Sequence, residues 1–519
     1  MPSRVKTHRL ASRHARLPVV GLLGIAAFGA HAQSEGAAAG ASKRALSVET
    51  GLSISQTLTD NVHLSSTDKQ SELITQVSPT LSVRSNAGRV QGFFNYALTG
   101  ILYARGSGSN ALQQTLSAAG KAEAIENFAF VDATASISRQ NISALGTQSP
   151  DPSLRSDNQT QVSSFSLSPY VRGRLAGVAN YEARLNYAST RSGGSSVGNS
   201  STSGGSVRLG SDNSLSLLNW SVSMSRQLVN FTAGRDSESD QATATLTFSV
   251  TPELRFSARG GREINNYVSV ERQGTNTYGA GVQWMPSKRT TLTADEDQRF
   301  FGRSHSIRFE HRTPRTVWAF VDARDVTSGA AAAASGPLLT EFDLLFLQLT
   351  SQYPDPIERA RQTLIQLQLL GKNPFAIAPG GFLTAAVSAQ RRQELSFGYL
   401  GLRTTVLLSA FQTQTSRLDP LSTAVDSLSG GASVRQRGVS LGGGYRLTPR
   451  SALNLNTTRT RTTDSTTGAR SDLVSITAGW TSQVGARANV SLSARRTVSE
   501  GATSSYNESA LLGTLTLRF

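Results

Sequence analysis

The sequence predicts an all-β protein: a single large antiparallel transmembrane β-barrel with a helical insertion. Three observations predict this fold. Many segments alternate apolar and polar side chains, the connections between them alternate between short turns and longer polar loops, and the last segment ends on Phe519. Alternation with a period of two is the pattern of strands. A closing strand of this kind, ending on a C-terminal Phe, is typical of bacterial outer-membrane barrels.

Residues 1–32 have the features of a secretory signal peptide. Five basic residues lie between Arg4 and Arg16, an apolar run follows from residue 17 to 30, and Ala30-His31-Ala32 matches a cleavage site. The apolar run is shorter than the ~20 residues that a permanent spanning helix needs. We therefore expect export, cleavage after Ala32 and a location in the cell outer membrane.

Charge and cysteine content exclude several classes of function. The formal charge is +16, and removing the signal peptide takes away five basic residues and no acid, which leaves +11. These basic residues are scattered, without the clusters that nucleic-acid binding requires. Anionic lipopolysaccharide or an acidic polysaccharide is the better expectation for a partner. The chain has no cysteine, which excludes disulfides, thiolate chemistry and lipoprotein acylation.

Alternating segments run from one end of the mature chain to the other. The clearest extends from Ala179 to Tyr187, with Glu182, Arg184 and Asn186 on the opposite face. Further apolar faces are formed by Leu46, Val48, Leu52 and Ile54; by Leu73, Val77, Leu81 and Val83; by Val90, Phe94, Tyr96, Leu98 and Leu102; by Ala242, Ala244, Leu246, Phe248 and Val250; and by Leu511, Leu515, Leu517 and Phe519.

The connections differ systematically in length. Short turns are predicted at 86–88, 251–253, 286–289, 313–315, 448–450 and 485–487, and longer polar loops at 58–70, 141–159, 190–205, 265–275, 417–432 and 498–507. Short periplasmic turns opposite long external loops are characteristic of outer-membrane barrels, whereas a soluble repeat protein has no reason for this asymmetry. An even strand number of about 22, within a range of 18 to 24, follows if 382–400 is one crossing.

The predicted domains are a signal peptide at 1–32, a disordered lead-in at 33–43 and the barrel at 44–519. One part of the barrel breaks the strand pattern, a helical insertion at about 330–381. Asp355-Pro356-Ile357-Glu358 has the residues of a helix start, and Gly371 followed by Asn373-Pro374 would end the helix. The insertion could be a plug in the lumen, an external cap, or an extracellular loop that folds on the rim. Its apolar faces must be buried, which favours burial in the lumen or against a partner.

Several motifs together resemble a known family. They are Thr59-Asp60-Asn61-Val62, Gly261-Arg262-Glu263-Ile264-Asn265-Asn266-Tyr267, Gly281-Val282-Gln283-Trp284-Met285-Pro286-Ser287, Arg299-Phe300-Phe301-Gly302-Arg303-Ser304, His311-Arg312 and Asp355-Pro356-Ile357-Glu358-Arg359-Ala360. Over nearly the whole mature chain, the sequence is similar to the PEP-CTERM system-associated outer-membrane proteins. The resemblance implies an outer-membrane β-barrel of bacteria that make exopolysaccharide and sort proteins with exosortase. It supplies no catalytic or binding residues.

Two functions from different classes remain open. The first is a porin-like conduit associated with exopolysaccharide and PEP-CTERM sorting, with the helical insertion as its gate. The second is a non-conducting barrel that anchors exported polymer or surface proteins. Expected partners are outer-membrane lipid and lipopolysaccharide, the barrel-assembly machinery through the strand that ends at Phe519, and exopolysaccharide or PEP-CTERM proteins. No nucleic-acid partner is expected.

The sequence predicts no enzyme, no catalytic residue, no cofactor and no metal site. Three histidines follow the signal peptide, His63, His305 and His311, and no G-x-S-x-G or H-E-x-x-H motif accompanies them. A structural role at the rim is expected for His311. The acidic pieces 236–240 and 295–297 lack the spacing of a calcium loop, so they are predicted to be solvated loop charge.

Residues 299–303, Arg-Phe-Phe-Gly-Arg, admit two interpretations. They could form a constriction that stacks on sugars and binds carboxylates, or an aromatic segment at the membrane interface, which the sequence favours. Other aromatic residues expected at the interface or facing lipid are Tyr181, Tyr187, Trp220, Trp284, Trp318 and Trp480.

Overall fold

The computed structural model describes residues 46–327, apart from 152, 155, 176, 195–196 and 212–216, and then 381–501 and 504–519. Seven single positions between 345 and 367 are also described. The predicted signal peptide at 1–32, the lead-in at 33–43 and nearly all of the predicted helical insertion at 330–381 therefore lie outside the described residues. Within the described residues, no helix has the length and apolar character that a membrane crossing requires.

The described residues form 22 strands. They are β1 (Leu46–Thr59), β2 (Glu72–Ala87), β3 (Val90–Tyr103), β4 (Ala111–Ile125), β5 (Ala129–Asn141), β6 (Gln159–Leu175), β7 (Ala179–Ser192), β8 (Ser200–Ser211), β9 (Leu218–Phe231), β10 (Ser237–Thr251), β11 (Leu254–Asn265), β12 (Gln273–Ser287), β13 (Thr290–Arg299), β14 (Gly302–Arg312), β15 (Thr316–Thr327), β16 (Ser388–Leu400), β17 (Thr404–Arg417), β18 (Ser433–Thr448), β19 (Ser451–Asp464), β20 (Arg470–Gln483), β21 (Ala488–Gly501) and β22 (Tyr506–Arg518).

The strands form one closed antiparallel barrel. Each strand pairs with the next along the chain, and β1 pairs with β22 in a register that runs from Gly51 opposite Arg518 to Thr59 opposite Ala510. Closure leaves no strand edge unpaired, as a lipid environment demands. The predicted strand number is confirmed, and 382–400 contributes the single crossing β16, as expected.

The outer face of the barrel carries most of the exposed apolar side chains. In β7 the predicted face is confirmed, because Leu185 and Tyr187 are exposed on it. The four tryptophans, at 220, 284, 318 and 480, all lie within three residues of the short-turn end of their strands. Their paired neighbours on this face are Leu246, Leu254, Phe397 and Leu453. This row of tryptophans is the aromatic girdle of the periplasmic interface.

The connections follow the predicted asymmetry with two differences. All six predicted short turns and the long loops 60–71, 142–158, 266–272 and 418–432 are present. The predicted loops 190–205 and 498–507 shorten to 193–199 and 502–505. In the first case the run Ser200-Ser201-Thr202-Ser203-Gly204-Gly205-Ser206 has the composition of a loop, but its backbone pairs with β7 and β9 on both sides. Neighbouring strands therefore override the local sequence signal.

The seam between β1 and β22 can be tested by disulfide trapping, since the chain has no native cysteine. Ser55 lies opposite Thr514, and their hydroxyls are 2.9 Å apart. The variant Ser55→Cys/Thr514→Cys should cross-link on oxidation, because directly opposed residues have the short Cα separation that a disulfide needs. Non-reducing electrophoresis of the folded barrel measures the cross-link.

The control for this experiment is Ser55→Cys/Thr516→Cys, which moves one cysteine two residues along β22. It should cross-link far less, because Thr516 lies opposite Ser53. Equal or stronger cross-linking of the control pair would contradict the register.

Candidate functional site

One sector of the inner wall is lined by hydroxyl and amide side chains. On β21, β22, β1, β2 and β3, the inward positions at mid-depth are mainly Ser, Thr, Asn and Gly, and many hydroxyls pair across strands. Examples are Ser53 with Thr516 at 3.3 Å, Ser55 with Thr514 at 2.9 Å, Ser78 with Thr99 at 2.9 Å and Ser82 with Asn95 at 2.8 Å. We call this sector the hydroxyl wall. Between Arg518 at one end of the barrel and Glu508 at the other, its inward positions on β22 carry no ionisable side chain.

The loop 142–158 covers the external end of the hydroxyl wall. The Tyr103 hydroxyl at the end of β3 donates to the Ser153 carbonyl at 2.9 Å, and the Tyr506 hydroxyl at the start of β22 donates to the Gln148 carbonyl at 2.5 Å. Leu154 packs in a buried cluster with Ile74, Ile101, Tyr506, Val62 and Leu64. The loop therefore connects β5 and β6 but is held against strands β21 to β3.

A buried arginine fixes this loop to the wall. The Arg495 guanidinium donates to Asp151 of the loop at 2.7 Å and to Glu508 of β22 at 2.8 and 3.2 Å. All three side chains are almost fully buried. Arg495 lies six residues before the end of β21 at Gly501, so the loop reaches well into the barrel. Removing one member of such a group costs roughly 3–5 kcal/mol, because it leaves uncompensated buried charge.

Asp151 is the titratable member of this group that lies outside the membrane-spanning strands. Burial alone would raise the pKa of its carboxyl. The positive charge of Arg495 and hydrogen bonds from Ser153 and Arg495 outweigh this effect and hold the pKa below its ordinary value. The carboxylate therefore stays charged at neutral pH and keeps the loop docked.

A second segment, 381–387, crosses the external mouth; we call it the strap. Phe382 bridges to Asn141 at the end of β5, and Ser388 begins β16, where it pairs with Thr327 of β15. From Thr384 to Val387 every strap residue is buried. The carbonyl of Ala385 passes so close to Gly234 that a Cβ at that position would lie 2.0 Å away. The strap thus joins walls that are eleven strands apart.

The length of the strap restricts the shape of the mouth. The six residue-to-residue steps from Phe382 to Ser388 span at most about 21 Å. A round barrel of 22 strands, with strands ~4.8 Å apart and tilted ~40°, would have a diameter of roughly 44 Å. The mouth is therefore flattened along the line from β5 to β16.

The loop 418–432 holds the strap in place. Asp426 accepts hydrogen bonds from the Thr384 hydroxyl at 2.9 Å and the Ala385 amide at 3.1 Å, and its other oxygen accepts from Arg417 at 2.6 Å. Ser427 of the same loop contacts Ser143 at 3.2 Å. The strap, this loop and loop 142–158 consequently form one connected cover over the mouth.

The inner wall of β15 to β19 is buried at its periplasmic half. Val317, Ser396 and Leu407 have almost no exposed surface. Leu345 and Leu367, described positions within the predicted insertion, form a buried cluster with Leu407. Leu407 alternates with the outward-facing Leu408 and therefore points into the lumen. Described residues between β15 and β16 thus contact the inside of the barrel.

The opposite inner wall, on β11 to β15, carries ion pairs. Arg259 of β11 reaches across β12 to Asp295 at 2.7 Å and Asp297 at 2.8 Å on β13. Glycine at position 279 leaves the space, because a Cβ there would lie 1.9 Å from the Asp297 carboxylate. The prediction that 295–297 is loop charge is wrong: these residues belong to β13, and the two aspartates face the lumen as partners of an arginine.

Residues 299–303 lie at the external hairpin between β13 and β14. Arg299 faces inward and binds Glu263 at 2.9 Å and also Asp325. Phe300 and Phe301 form the external turn between β13 and β14, where Phe300 packs on Tyr267 with ring centroids 5.5 Å apart. The segment is a tight hairpin, so its two arginines lie on opposite faces of the barrel, Arg299 toward the lumen and Arg303 on the outer side.

The three histidines lie apart. His305 contacts Asp322 at 3.0 Å on the outer face, His311 contacts Thr290 at 2.9 Å near a periplasmic turn, and His63 lines a cavity beside residues 143–147. The position of His311 fits its predicted structural role. Among the described residues, no cluster of three or more His, Cys, Asp or Glu could hold a metal ion.

Sequence reasoning missed a cationic patch on the inner wall of β4 to β7. Phe130 and Tyr170 stack with centroids 5.2 Å apart. Arg172 lies 4.4 Å from the Phe130 ring, Arg184 lies 3.8 Å from the Tyr170 ring, and Lys121 covers both rings. The rings are buried under the cations, and Arg184 is also paired with Asp132 at 2.9 Å and with Glu182 at 3.1 Å. On its strand Phe130 shares a face with the charged Asp132, and Tyr170 shares a face with Arg172. These charged neighbours could have placed both rings on the inner face.

These features define a transmembrane β-barrel of the outer-membrane type, with a polar lumen and a covered external mouth. No protein-family model and no curated protein matches the sequence.

Several solved barrels have a similar architecture. The ferric-catecholate import receptor Fiu of E. coli K12 is 8% identical, with 91% of this chain and 82% of that chain covered and a TM-score of 0.47. A mutant of the ferric enterobactin receptor PfeA of Pseudomonas aeruginosa is 10% identical, with 91% of this chain and 80% of that chain covered and a TM-score of 0.45. A loop-deletion mutant of OmpT of Vibrio cholerae is 10% identical, with 92% of this chain and 100% of that chain covered and a TM-score of 0.30. The likeness concerns barrel architecture and carries nothing about ligands.

Loop 142–158 should undock in acid. The Asp151 carboxyl has a lowered pKa in the docked loop. Its ion pair therefore stabilises docking fully at pH values above the pKa of a free aspartate, which is about 4. This stabilisation is lost as the pH falls through the lowered pKa of the docked carboxyl. A spin label on Asp157→Cys, an exposed position in the loop, should be immobile from pH 7 to 5 and become mobile in the acid range below about pH 4.

The variant Asp151→Asn with the same label is the control for this titration. It should be mobile already at pH 7 and show no acid step, because the titrating group is gone. An acid transition that is unchanged in Asp151→Asn would contradict the role assigned to Asp151.

Proposed function

We propose that the protein is an outer-membrane conduit for a hydroxyl-rich polymer or oligosaccharide, held closed in the described state by its external loops. The observation that carries this proposal is the hydroxyl wall. A surface of Ser, Thr and Asn exchanges hydrogen bonds with sugar hydroxyls, and between Glu508 and Arg518 its inward positions on β22 carry no fixed charge that would retain a passing chain. Tight binding at one point would oppose conduction, because a conduit must also release its cargo.

The lumen divides into two sectors with different roles in this proposal. The buried inner wall of β15 to β19, with Leu345 and Leu367 packed on Leu407, supports a segment of the insertion acting as a plug on that side. The hydroxyl wall lies on the other side, and its inward side chains at mid-depth remain partly exposed. The route we propose follows the hydroxyl wall from the periplasmic opening to the underside of loop 142–158.

Loop 142–158 is the gate in this proposal. It covers the hydroxyl wall, and Arg495 holds it there by two buried acids from different elements. The strap and loop 418–432 cover the rest of the mouth. Displacing loop 142–158 alone would open the route that we propose.

The resemblance to PEP-CTERM system-associated outer-membrane proteins suggests the class of cargo. Bacteria with such proteins make exopolysaccharide, and exopolysaccharide is a hydroxyl-rich polymer of the kind that the wall would suit. We therefore propose exopolysaccharide, or an oligosaccharide derived from it, as the cargo. The proposal assigns no catalytic step to any residue.

A non-conducting barrel that anchors exported polymer or surface proteins is the second candidate. The observation that favours it is the extent of the cover, since the strap and two loops are joined by buried contacts. An anchoring barrel would keep this cover permanently and use its external surface for binding.

Liposome swelling with a neutral tetrasaccharide separates the two functions. Arg495→Gln should swell liposomes at least several-fold faster than the wild type, because it leaves Asp151 and Glu508 buried without a cation and undocks the gate. Arg496→Gln is the matched control, with the same substitution one residue along β21 on the outer face. It should behave as the wild type.

The outcomes of the swelling assay are distinct. Slow swelling for all three proteins, each shown to be folded by its heat-dependent migration, would exclude the conduit and favour the anchoring barrel. Equal acceleration by Arg495→Gln and Arg496→Gln would overturn the assignment of loop 142–158 as the gate.

A further inference from the structure

The outer wall of β16 to β21 carries a cluster of arginines at its external end, and the described acids neutralise only part of its charge. Outward positions alternate with inward ones along each strand, and exposed Leu395, Val439, Leu455 and Ile476 identify the outward set. The outward arginines on these strands are Arg391, Arg435, Arg437, Arg459, Arg461, Arg470 and Arg496. Asp472 binds two of them, Arg461 and Arg470, and Asp322 binds Arg391.

Two other exposed arginines, at the external end of β9 and in the loop before β12, have acidic partners. Arg226 of β9 pairs with Glu238 and Asp240, and Arg272 pairs with the same two acids. In the cluster, by contrast, Arg437 donates to the neutral Gln412 at 2.7 Å. The Arg459 side chain has no ion pair or hydrogen bond with any residue that the structure describes.

The sheet register brings three arginines together at an energetic cost. Arg437 of β18 lies directly opposite Arg461 of β19, and Arg459 lies two residues along the same face. Like charges that face each other across a strand pair are destabilising. A bound anion would remove this repulsion and accept charge-assisted hydrogen bonds from the guanidinium groups. The arrangement therefore points to an anionic ligand.

The same three arginines line a groove of about 610 Å³ on the outer wall. Its other lining residues include Phe320, Leu395, Ala410 and Val439, which form an apolar floor, and Gln393 and Gln412 beside the arginines. The small side chain of Ala410 leaves a depression between Leu395 and Val439. A ligand that fills this groove combines an apolar part with an anionic part.

The depth of the groove identifies the leaflet. Tyr445 of β18 shares a cross-strand row with Leu453 and Trp480 of the periplasmic girdle. Arg437 lies eight residues further along β18, which at ~3.3 Å per residue and ~40° tilt is about 20 Å along the membrane normal. The apolar band of such barrels is about 25 Å tall. Arg437 and Arg461 therefore lie near the external interface, and Arg459 lies slightly deeper, facing lipid.

We propose that this groove binds the lipid A part of lipopolysaccharide, with one phosphate between Arg437, Arg459 and Arg461 and acyl chains on the apolar floor. Lipid A has the required chemistry, because its phosphates lie at the external interface and are joined to several acyl chains. Arginine suits phosphate through its planar fork of donors. An unpaired lipid-facing arginine such as Arg459 is costly unless an anion neutralises it.

The test is a binding titration of the purified barrel in detergent with lipopolysaccharide that carries both lipid A phosphates, read out by native mass spectrometry. Arg437→Gln/Arg459→Gln should bind at least about tenfold more weakly than the wild type, because it removes charge-assisted hydrogen bonds. Arg437→Lys/Arg459→Lys should retain much of the binding. Lipopolysaccharide stripped of its phosphates should bind the wild type as weakly as the Gln variant binds the intact lipid.

The control variant is Arg191→Gln/Arg226→Gln, which removes two outward arginines from β7 and β9, and its affinity should equal that of the wild type. Equal affinity of the Gln variant and the wild type would overturn the proposal. If phosphatidylglycerol bound as tightly as lipopolysaccharide, the groove would be a site for anionic lipid headgroups in general, and the assignment to lipid A would be wrong. A change of oligomeric state in the Gln variant, with lipid binding intact, would assign the groove to a second copy of the chain.

Discussion

The whole structure depends on the absence of water in the bilayer core. Every strand must pair its backbone on both sides, because an unpaired N–H or C=O in hydrocarbon costs several kcal/mol. The chain meets this constraint by joining β1 to β22 in a register that brings Leu58 opposite Leu511 and Ser55 opposite Thr514. Closure at this register fixes which residues face lipid and which face the lumen. The hydroxyl wall and the arginine groove are both consequences of that single choice, one on each side of the sheet.

Given closure, the external segments determine what the barrel can do. A strap of limited length flattens the mouth between β5 and β16, and loop 418–432 holds the strap through Asp426. The loop that covers the hydroxyl wall is fastened differently, by the buried Arg495 and its two acids. A hydrophobic contact would resist displacement equally at any pH. An ion pair formed by a loop aspartate makes the stability of the docked loop depend on whether one carboxyl is charged, and therefore on pH.

Local alternation predicted most of the fold because a barrel repeats one rule. In β7, the apolar face from Ala179 to Tyr187 and the polar face with Glu182 and Arg184 are visible in the sequence and are found in the structure. Prediction failed where a residue's role depends on a distant strand. Asp295 and Asp297 were predicted to be loop residues because their neighbours in the sequence do not show the partner, Arg259. Arg259 lies two strands away and reaches the two aspartates past Gly279. Asp151 and Arg495 are 344 positions apart, so no spacing could join them. The arginine groove is likewise invisible without the register that sets Arg437 opposite Arg461.

The central claim is that a conducting lumen lies beneath loop 142–158. A disulfide between that loop and the rim tests it most directly. Thr147 and Ser504 are in side-chain contact, so Thr147→Cys/Ser504→Cys should lock the loop when oxidised. The measurement is single-channel conductance in a planar bilayer before and after reduction. With Arg495→Gln added to both states, so that only the disulfide can hold the loop, we expect silence in the oxidised protein and discrete openings once the disulfide is reduced. Identical openings in both states, or silence of a folded protein in both, would contradict the account.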